Sequence, residues 1–291
     1  MKLLALAGSL ELLFLAIRLI PNPRNQIPVL IVLLLLSGIF YLVSCYCVSG
    51  GGAADSRARN STGWILAAAA IFRVTIFTMQ PVLSDDVFRY RWEGKLQSVG
   101  ANPYAVRPND PAWSAMRDET FESVPGRDFR AVYGPLTERI ELLTYRIAAS
   151  FEQNPWRQAF WFKAPAAIFD LGTIGMLLLW LRARGLPLER VLLYAWSPLG
   201  VMEFWGSGHN DSIALCFLAL ALAAVAVNRW TLSYASLALA AAAKLWPLFL
   251  LPLWAGRPWS RIVQGTIMLP IIALLAAPYW TEWSGIDENF R

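Results

Sequence analysis

The sequence is poor in charge, in cysteine and in histidine. Only 15% of its 291 residues are charged, and it contains three cysteines and one histidine. Three cysteines are too few for a secreted disulfide scaffold, and a hydrophobic content of 57% excludes a low-complexity disordered chain. Soluble domains carry about 25% charged residues. The composition therefore indicates an integral membrane protein.

Sequence signatures of soluble enzymes are also missing. There is no phosphate-binding glycine motif, no Gly-x-Ser-x-Gly and no zinc-type spacing of His or Cys. Cys45, Cys47 and Cys216 lie in apolar runs and are interpreted as membrane-buried thiols. The net charge of +5 is not read as a nucleic-acid signal, because Lys and Arg of membrane proteins collect on cytoplasmic loops. No nucleic acid, cofactor or metal is expected.

Apolar runs divide the chain, and about 20 helical residues cross a bilayer. The runs are Leu3–Ile20, Ile27–Val48, Gly63–Met79, Ala159–Leu181, Val191–Trp205, Ser212–Val227, Leu232–Trp254 and Ile262–Ala277. Lys244 and Pro247 interrupt the seventh run, which predicts two half-helices. The pattern predicts an all-α polytopic membrane protein with about seven to nine membrane segments. An N-terminus on the cytoplasmic side fits the positive-inside rule, since basic residues then gather on inner loops.

Four regions are predicted. Residues 1–80 form N-terminal membrane helices, 81–157 a large extracytoplasmic loop, 158–279 a helix bundle, and 280–291 the start of a further outer segment. The loop, called the outer loop below, holds 11 of the 20 acidic residues. Within it Leu136, Ile140, Leu143, Ile147 and Phe151 follow helical spacing and predict an amphipathic helix along the membrane surface. A functional site is expected in this loop.

Ser84-Asp85-Asp86 begins the outer loop and allows two interpretations. Ser84 caps a helix whose positive N-terminus favours the two carboxylates. Alternatively, a carboxylate near low-dielectric lipid serves as a general base. The spacing also predicts i,i+4 pairs of Arg89 with Asp85 and with Glu93.

Polar residues inside the apolar C-terminal half are further candidates. Gly208-His209-Asn210-Asp211 is either a tight turn with a helix N-cap or a cluster that binds sugar hydroxyls or an anion. Asp170 and Lys244 lie deep in apolar runs, where charges are functional hypotheses by default. Asp170 is expected to support the site through a structural pair with Lys244 or another buried cation. Lys244 suits neutralisation of a lipid-linked phosphate.

An ordered series of motifs resembles the polytopic C-type (GT-C) glycosyltransferases, and within them bacterial polyprenyl-phosphate-mannose-dependent α-mannosyltransferases. The series consists of Ser84-Asp85-Asp86-Val87-Phe88-Arg89-Tyr90-Arg91-Trp92-Glu93-Gly94, Gly100-Ala101-Asn102-Pro103-Tyr104, Pro108-Asn109-Asp110-Pro111, Val132-Tyr133-Gly134-Pro135, Asp170-Leu171, Gly208-His209-Asn210-Asp211 and Lys244-Leu245-Trp246-Pro247. Gly134 stands where the family pattern has a second Pro. The first two spans lie before the outer loop and its adjoining third run, whereas simpler members of the family have one. Relatives are generally longer, so the chain is expected to be a fragment or a compact member.

The resemblance implies an inverting transfer of mannose from a polyprenyl phosphate donor to a lipid or glycan acceptor on the non-cytoplasmic side of a bacterial inner membrane. It implies that Asp85 or Asp86 is the catalytic base, with Asp85 preferred. Lys244, Arg89 and Arg139 would bind the donor phosphate. Sugar or acceptor contacts would come from Glu93, Asn102, Tyr104, Tyr133, His209, Asn210 and Asp211. Alternative hypotheses are a transporter or lipid-linked sugar flippase, for which internal repeats with broken helices would be expected, and a non-catalytic membrane subunit.

Overall fold

The computed structural model describes residues 2–49, 61–255 and 263–280. Within these ranges the chain is helical and contains no strand, which confirms the predicted all-α membrane architecture. The predicted outer segment at 280–291 lies outside the described residues except for Trp280.

Three apolar helices form the N-terminal part: α1 (Lys2–Arg18), α2 (Ile27–Ser49) and α3 (Ser61–Phe77). Their sequences contain almost no proline inside the helices, so backbone hydrogen bonding continues through each run. α1 and α3 pack through Phe14 and Phe72, whose ring centroids lie 5.2 Å apart. Phe72 also contacts Trp196 edge-on at 5.7 Å, which joins this part to the C-terminal half.

The outer loop is a packed unit with three helices: α4 (Asp86–Ser98), α5 (Pro135–Phe151) and α6 (Pro155–Trp161). Two short 3-10 turns, Pro111–Met116 and Phe121–Ser123, lie between α4 and α5. Asp118 fixes this connection to α4 because its carboxylate lies 3.0 Å from Arg91 Nη2 and 2.7 Å from Lys95 Nζ. The loop is therefore a folded platform for the residues at its edge.

Helix α5 has the predicted spacing. Leu143, Ile147 and Phe151 are exposed, while Glu138 and Glu141 on the same helix are buried. A helix with apolar side chains outside and carboxyls inside is suited to a lipid surface. A helix is present where the spacing predicts one. Leu136 and Ile140 of the predicted apolar face pack against the core, and the place of the helix along the membrane surface stays a prediction.

The C-terminal half contains α7 (Lys163–Ala183), α8 (Asp211–Ala226), α9 (Trp230–Ala243) and α10 (Met268–Ala276). The predicted interruption near Lys244 is present: α9 ends there, and Lys244 is extended with φ −146° and ψ 147°. Among the described residues, three helical stretches are long and apolar enough to cross a membrane. They are Ile27–Ser49, Pro155–Ala183 and Val263–Trp280, and α3, α8 and α9 are shorter apolar helices. The count of seven to nine segments stays a prediction.

The run Val191–Trp205, expected to form one membrane segment, is broken. It contains the short helices Leu192–Ala195 and Pro198–Gly200 and then the π-helix Val201–Ser207. Pro198 has no backbone N–H and cannot continue the preceding helix. The hydroxyl of Ser197 instead accepts a hydrogen bond from the Gly200 N–H at 3.4 Å, which starts a new turn.

A buried ion pair joins these parts. Arg73 on α3 and Asp170 on α7 lie 2.7 Å apart (Nε to Oδ2), and their side chains are 1% and 0% exposed. Asp170 also accepts hydrogen bonds from Tyr194 Oη at 2.7 Å and Trp205 Nε1 at 2.8 Å. The structural pair expected for Asp170 is confirmed, and its partner is Arg73 rather than Lys244.

Candidate active site

The two adjacent carboxylates at the start of the outer loop have different partners. Asp86 is the first residue of α4, and its backbone N–H donates to Ser84 Oγ at 3.1 Å. Asp85 is bound from the α1–α2 connection, where Arg24 Nη1 donates to Asp85 Oδ2 at 2.9 Å. The predicted Asp85–Arg89 pair is wrong, because Arg24 takes the position beside Asp85. Asp85 is therefore held toward the N-terminal helices.

Asp86 faces the C-terminal half. Its Oδ2 accepts hydrogen bonds from Tyr133 Oη at 3.1 Å and Tyr90 Oη at 3.4 Å. The same oxygen lies 3.4 Å from His209 Nε2. On its other side, His209 Nδ1 contacts the Glu203 carboxylate. The single histidine of the chain thus joins two carboxylates, one from the outer loop and one from the π-helix.

These contacts determine the protonation states of Asp86 and His209. Burial disfavours the charged imidazolium, but hydrogen bonds to Asp86 and Glu203 outweigh burial and raise the pKa of His209 to about 9. Burial likewise works against the Asp86 carboxylate, yet hydrogen bonds from His209, Ser84 and Tyr133 bring its pKa below the usual value. At neutral pH the pair is therefore an imidazolium beside a carboxylate.

Gly208 allows His209 to approach Asp86. It ends the π-helix with φ +77°, a left-handed conformation that glycine adopts without steric cost. A Cβ at this position would lie 2.9 Å from Lys163 Cγ and 3.0 Å from Val87 Cγ1. Because α4 and α7 come this close to the turn, His209 reaches the start of α4.

The end of α9 forms the other side of the site. Lys244 Nζ donates to Asp211 Oδ2 at 2.6 Å and lies 5.3 Å from the centroid of the Tyr133 ring. The Gly134 N–H donates to the Ala243 carbonyl at 3.0 Å, which attaches the outer loop to the end of α9. The side chains of Asp86, His209 and Lys244 are 27%, 24% and 22% exposed, so a substrate can reach all three.

The model of one protein family matches most of the chain. The family is described as alpha-(1→6)-mannopyranosyltransferase, N-terminal domain (MptA_B family), and its model matches residues 7–258. The chain belongs to this family. It is a glycosyltransferase, and more narrowly a mannosyltransferase. Comparison with curated proteins and with solved structures finds no match.

The structure of this mannosyltransferase brings five of the predicted site residues together. Around the exposed edge of the outer loop lie Asp86, Tyr133, His209, Asp211 and Lys244. Asn210 is the N-cap residue of α8 and is 5% exposed. Gly208 makes the predicted tight turn and Asn210 occupies the N-cap position of α8, but its side chain makes no capping hydrogen bond. The sugar-binding role of residues 208–211 stays a prediction.

Other predicted site residues have partners elsewhere. Arg89 Nε lies 2.5 Å from Glu93 Oε1, as the i,i+4 spacing predicts. The same guanidinium donates to the carbonyls of Gly126 at 2.8 Å and Phe129 at 2.9 Å. Both charged side chains are thus inside the outer loop. Arg139 donates to the Leu275 carbonyl at 3.3 Å on α10.

Asn102 and Tyr104 support the loop backbone next to Tyr133. The Asn102 side chain accepts from the Tyr104 N–H at 3.0 Å and donates to the Tyr279 carbonyl at 3.2 Å. Tyr104 Oη donates to the Tyr133 carbonyl at 2.7 Å. Roles of Arg89, Arg139, Glu93, Asn102 and Tyr104 in substrate binding stay predictions.

Three residues of the site were missed by sequence reasoning. Glu203 had a signal, since it is a carboxylate inside an apolar run. Arg24 had a weaker one, as the first basic residue between two apolar runs. Tyr90 belongs to the motif that carries the resemblance, but only the fold places its hydroxyl beside Asp86.

Proposed function

We propose that this mannosyltransferase moves mannose from a polyprenyl phosphate donor to a hydroxyl of a lipid or glycan acceptor, with inversion at the anomeric carbon. The observation that supports this most is the meeting of one outer-loop carboxylate, Asp86, with His209 and Lys244 at an exposed edge. His209 pairs with Asp86 and Glu203, and Lys244 pairs with Asp211. A carboxylate that can remove a proton thus lies beside two cationic groups that can stabilise a released phosphate.

Asp86 is the proposed base. The acceptor hydroxyl gives its proton to the Asp86 carboxylate, and its oxygen forms the new bond to C1 of mannose. The bond between C1 and the phosphate oxygen breaks, and its electron pair leaves with the polyprenyl phosphate. A positioned base contributes roughly 10²–10⁴-fold to such a step. Asp85, preferred from the sequence, is instead proposed to orient the start of α4 through its ion pair with Arg24.

His209 and Lys244 are proposed to stabilise the departing phosphate. A phosphate needs little protonation to leave, so fixed positive charge matters more than an acid. The imidazolium of His209 is retained at neutral pH because two carboxylates surround it. Lys244 provides a compact point charge at the end of the broken helix α9.

The site is proposed to face the non-cytoplasmic side of a bacterial inner membrane. An N-terminus on the cytoplasmic side, with α1, α2 and α3 crossing in turn, brings the outer loop to that side, in agreement with the positive-inside rule. The exposed apolar face of α5 would then lie against the lipid surface from which the donor arrives.

The test uses the full chain in proteoliposomes with polyprenyl phosphate carrying labelled mannose. Asp86→Asn keeps the shape of the side chain and is expected to lower the transfer rate about 10²–10⁴-fold. Asp85→Asn is the matched control, and its transfer rate is expected to fall much less. Equal losses in both variants, or an unchanged rate in Asp86→Asn, would contradict Asp86 as the base.

Two further measurements test the lipid donor and the stereochemistry independently of the catalytic base. Labelled GDP-mannose in place of the lipid donor is expected to give no product, and product from it would contradict the lipid donor. The anomeric configuration of donor and product, compared by NMR, is expected to be opposite. Retention would exclude the single displacement described above.

A further inference from the structure

Three buried carboxyls lie together inside the outer loop, away from Asp86. Glu93 on α4 and Glu138 and Glu141 on α5 are 1%, 0% and 4% exposed. One oxygen of each lies within 4.8 Å of the others. We call these three residues the carboxylate cluster. The helices come this close because residue 94 is glycine: a Cβ there would lie 2.5 Å from the Glu141 carbonyl oxygen.

Among the described residues, the basic side chains near the cluster do not balance its negative charge. Arg89 is the cation that acts on all three carboxyls, and it forms its ion pair with Glu93. Three carboxylates and one guanidinium leave two negative charges. Uncompensated charge in a protein interior costs several kcal/mol per ion, so the cluster must take up either two protons or one divalent cation.

The free oxygens of the cluster converge. Among the described residues, Glu93 Oε2, Glu138 Oε1 and both carboxyl oxygens of Glu141 accept no hydrogen bond from a donor outside the cluster, and the Glu93 carboxyl lies within hydrogen-bonding reach of the other two carboxyls. Buried polar atoms in native proteins nearly always have a hydrogen-bond partner, and each exception needs an explanation such as a water or an ion. Four such oxygens on three neighbouring side chains are what a cation would use.

A separate observation comes from α8. Glu141 lines a small cavity of about 10 Å³ together with Asn210, which is about the volume that one water molecule needs. Asn210 is 5% exposed, and both atoms of its amide lack a partner. A second element of the fold therefore places an unsatisfied buried amide at the cavity that Glu141 lines.

We propose that the carboxylate cluster binds one hard divalent cation, of the Mg²⁺, Ca²⁺ or Mn²⁺ class. All the converging donors are oxygen atoms, which these cations prefer, and sulfur or imidazole ligands are not part of the cluster. The ion brings the charge of the cluster with Arg89 to zero. It also joins α4 to α5, and so holds the helix that begins with Asp86. This structural ion differs from the expectation of no metal, and it does not depend on the proposed function.

The first test needs no variant. The full chain is purified in detergent, treated with EDTA and dialysed, then supplied separately with MgCl₂, CaCl₂ or MnCl₂. We expect about one ion per chain by elemental analysis for at least one metal. At a free concentration 100-fold above Kd, the unfolding midpoint is expected to rise by about 5–10 °C. Absence of both binding and a midpoint shift with all three metals would overturn the proposal.

Variants locate the ion. Glu141→Gln keeps the size of the side chain and is expected to lower the bound metal at least tenfold and to abolish the midpoint shift. Glu119→Gln removes a carboxylate from an exposed position of the same loop and is expected to retain both. Asp86→Asn is also expected to retain the ion, so a failure of the proposed base leaves this test intact.

A proton-filled cluster gives the opposite results. Infrared spectra of the chain would then show protonated carboxyl bands that stay unchanged when metal is added and that Glu141→Gln weakens, and metal would bind no better to the wild type than to Glu141→Gln. That pattern would also overturn the proposal. If Glu141→Gln does not fold, Glu138→Gln takes its place, with the same expected loss of metal.

Discussion

Gly134 is the residue whose replacement tests most directly how the outer loop is attached to the bundle. It is the N-cap of α5, with φ −76° and ψ 162°, an ordinary extended conformation. Its N–H donates to the Ala243 carbonyl at 3.0 Å. Strain in the backbone is therefore not the reason for a glycine here. The reason is space, since the chain passes directly over the carbonyls that end α9.

The magnitude follows from the distances. A Cβ at residue 134 would lie 2.7 Å from the Ala242 carbonyl carbon and 2.9 Å from the Ala243 carbonyl oxygen, and closer still to the Ala242 oxygen. Ordinary C···O contacts are about 3.3–3.6 Å. These are backbone atoms that cannot rotate away, so Gly134→Ala must move the loop by roughly 1 Å. Overpacking of this kind costs about 1–3 kcal/mol.

The shift also separates Tyr133 from Lys244. Misplacement by about 1 Å can lower an enzymatic rate up to 10²-fold. We therefore expect Gly134→Ala to lower the unfolding midpoint in detergent by about 2–12 °C and to lower mannosyl transfer. Gly175→Ala on α7 is the control, because nothing lies within 4 Å of its added Cβ. If Gly134→Ala matches Gly175→Ala in both midpoint and rate, the contact argument is wrong.

Two further predictions concern the buried ion pair and the histidine. Asp170→Asn leaves Arg73 buried without its counter-charge and is expected to cost about 3–5 kcal/mol of stability, measured as a lower unfolding midpoint. Arg73→Met combined with Asp170→Asn removes the unpaired charge, keeps an acceptor for Tyr194 and Trp205, and should recover much of the loss. The raised pKa of His209, about 9 against 6.5 for an ordinary histidine, means that its stabilising contribution is complete below pH 6.5 and is lost as pH rises through about 9. Wild type should therefore lose stability between pH 7 and pH 10, and His209→Gln should lose less.

Each of these has a result that would contradict it. A single Asp170→Asn variant as stable as the double variant would mean that the ion pair contributes little. Identical pH profiles for wild type and His209→Gln would mean that His209 is not held as an imidazolium by Asp86 and Glu203.

Helices were predictable where the sequence pattern is local. The apolar runs predict α1, α2 and α3 within a few residues, and the i,i+4 spacing predicts the pair of Arg89 and Glu93. The end of α9 at Lys244 also followed from the polar residue and the proline after it. Where one run contained Ser197-Pro198, hydropathy was a poor guide, because it averages over a residue that cannot donate a hydrogen bond.

Contacts between distant parts of the chain were harder to predict from the sequence. The motifs indicated that Asp86, His209 and Lys244 belong to one site. They did not indicate that Arg24 pairs with Asp85 or that Arg73 pairs with Asp170. These two ion pairs depend on which helices are neighbours in the fold. The paired residues are about 60 to 100 positions apart in the sequence, and helix neighbours are set by side-chain packing that a local pattern does not show. The family pattern also gave no reason for Gly134. Only the distance to the end of α9 supplies it.

The buried pair of Arg73 and Asp170 has a consequence for how the chain is made. The two residues are 97 positions apart, so at about 5–20 residues per second the ribosome needs roughly 5–20 s to add the second after the first. During that interval Arg73 has no counter-ion. An arginine at the centre of a membrane helix costs about 2.5–3.5 kcal/mol, and Arg73 lies four residues from the end of α3. An arginine this close to a helix end can reach toward water until α7 is made and Asp170 supplies its counter-charge.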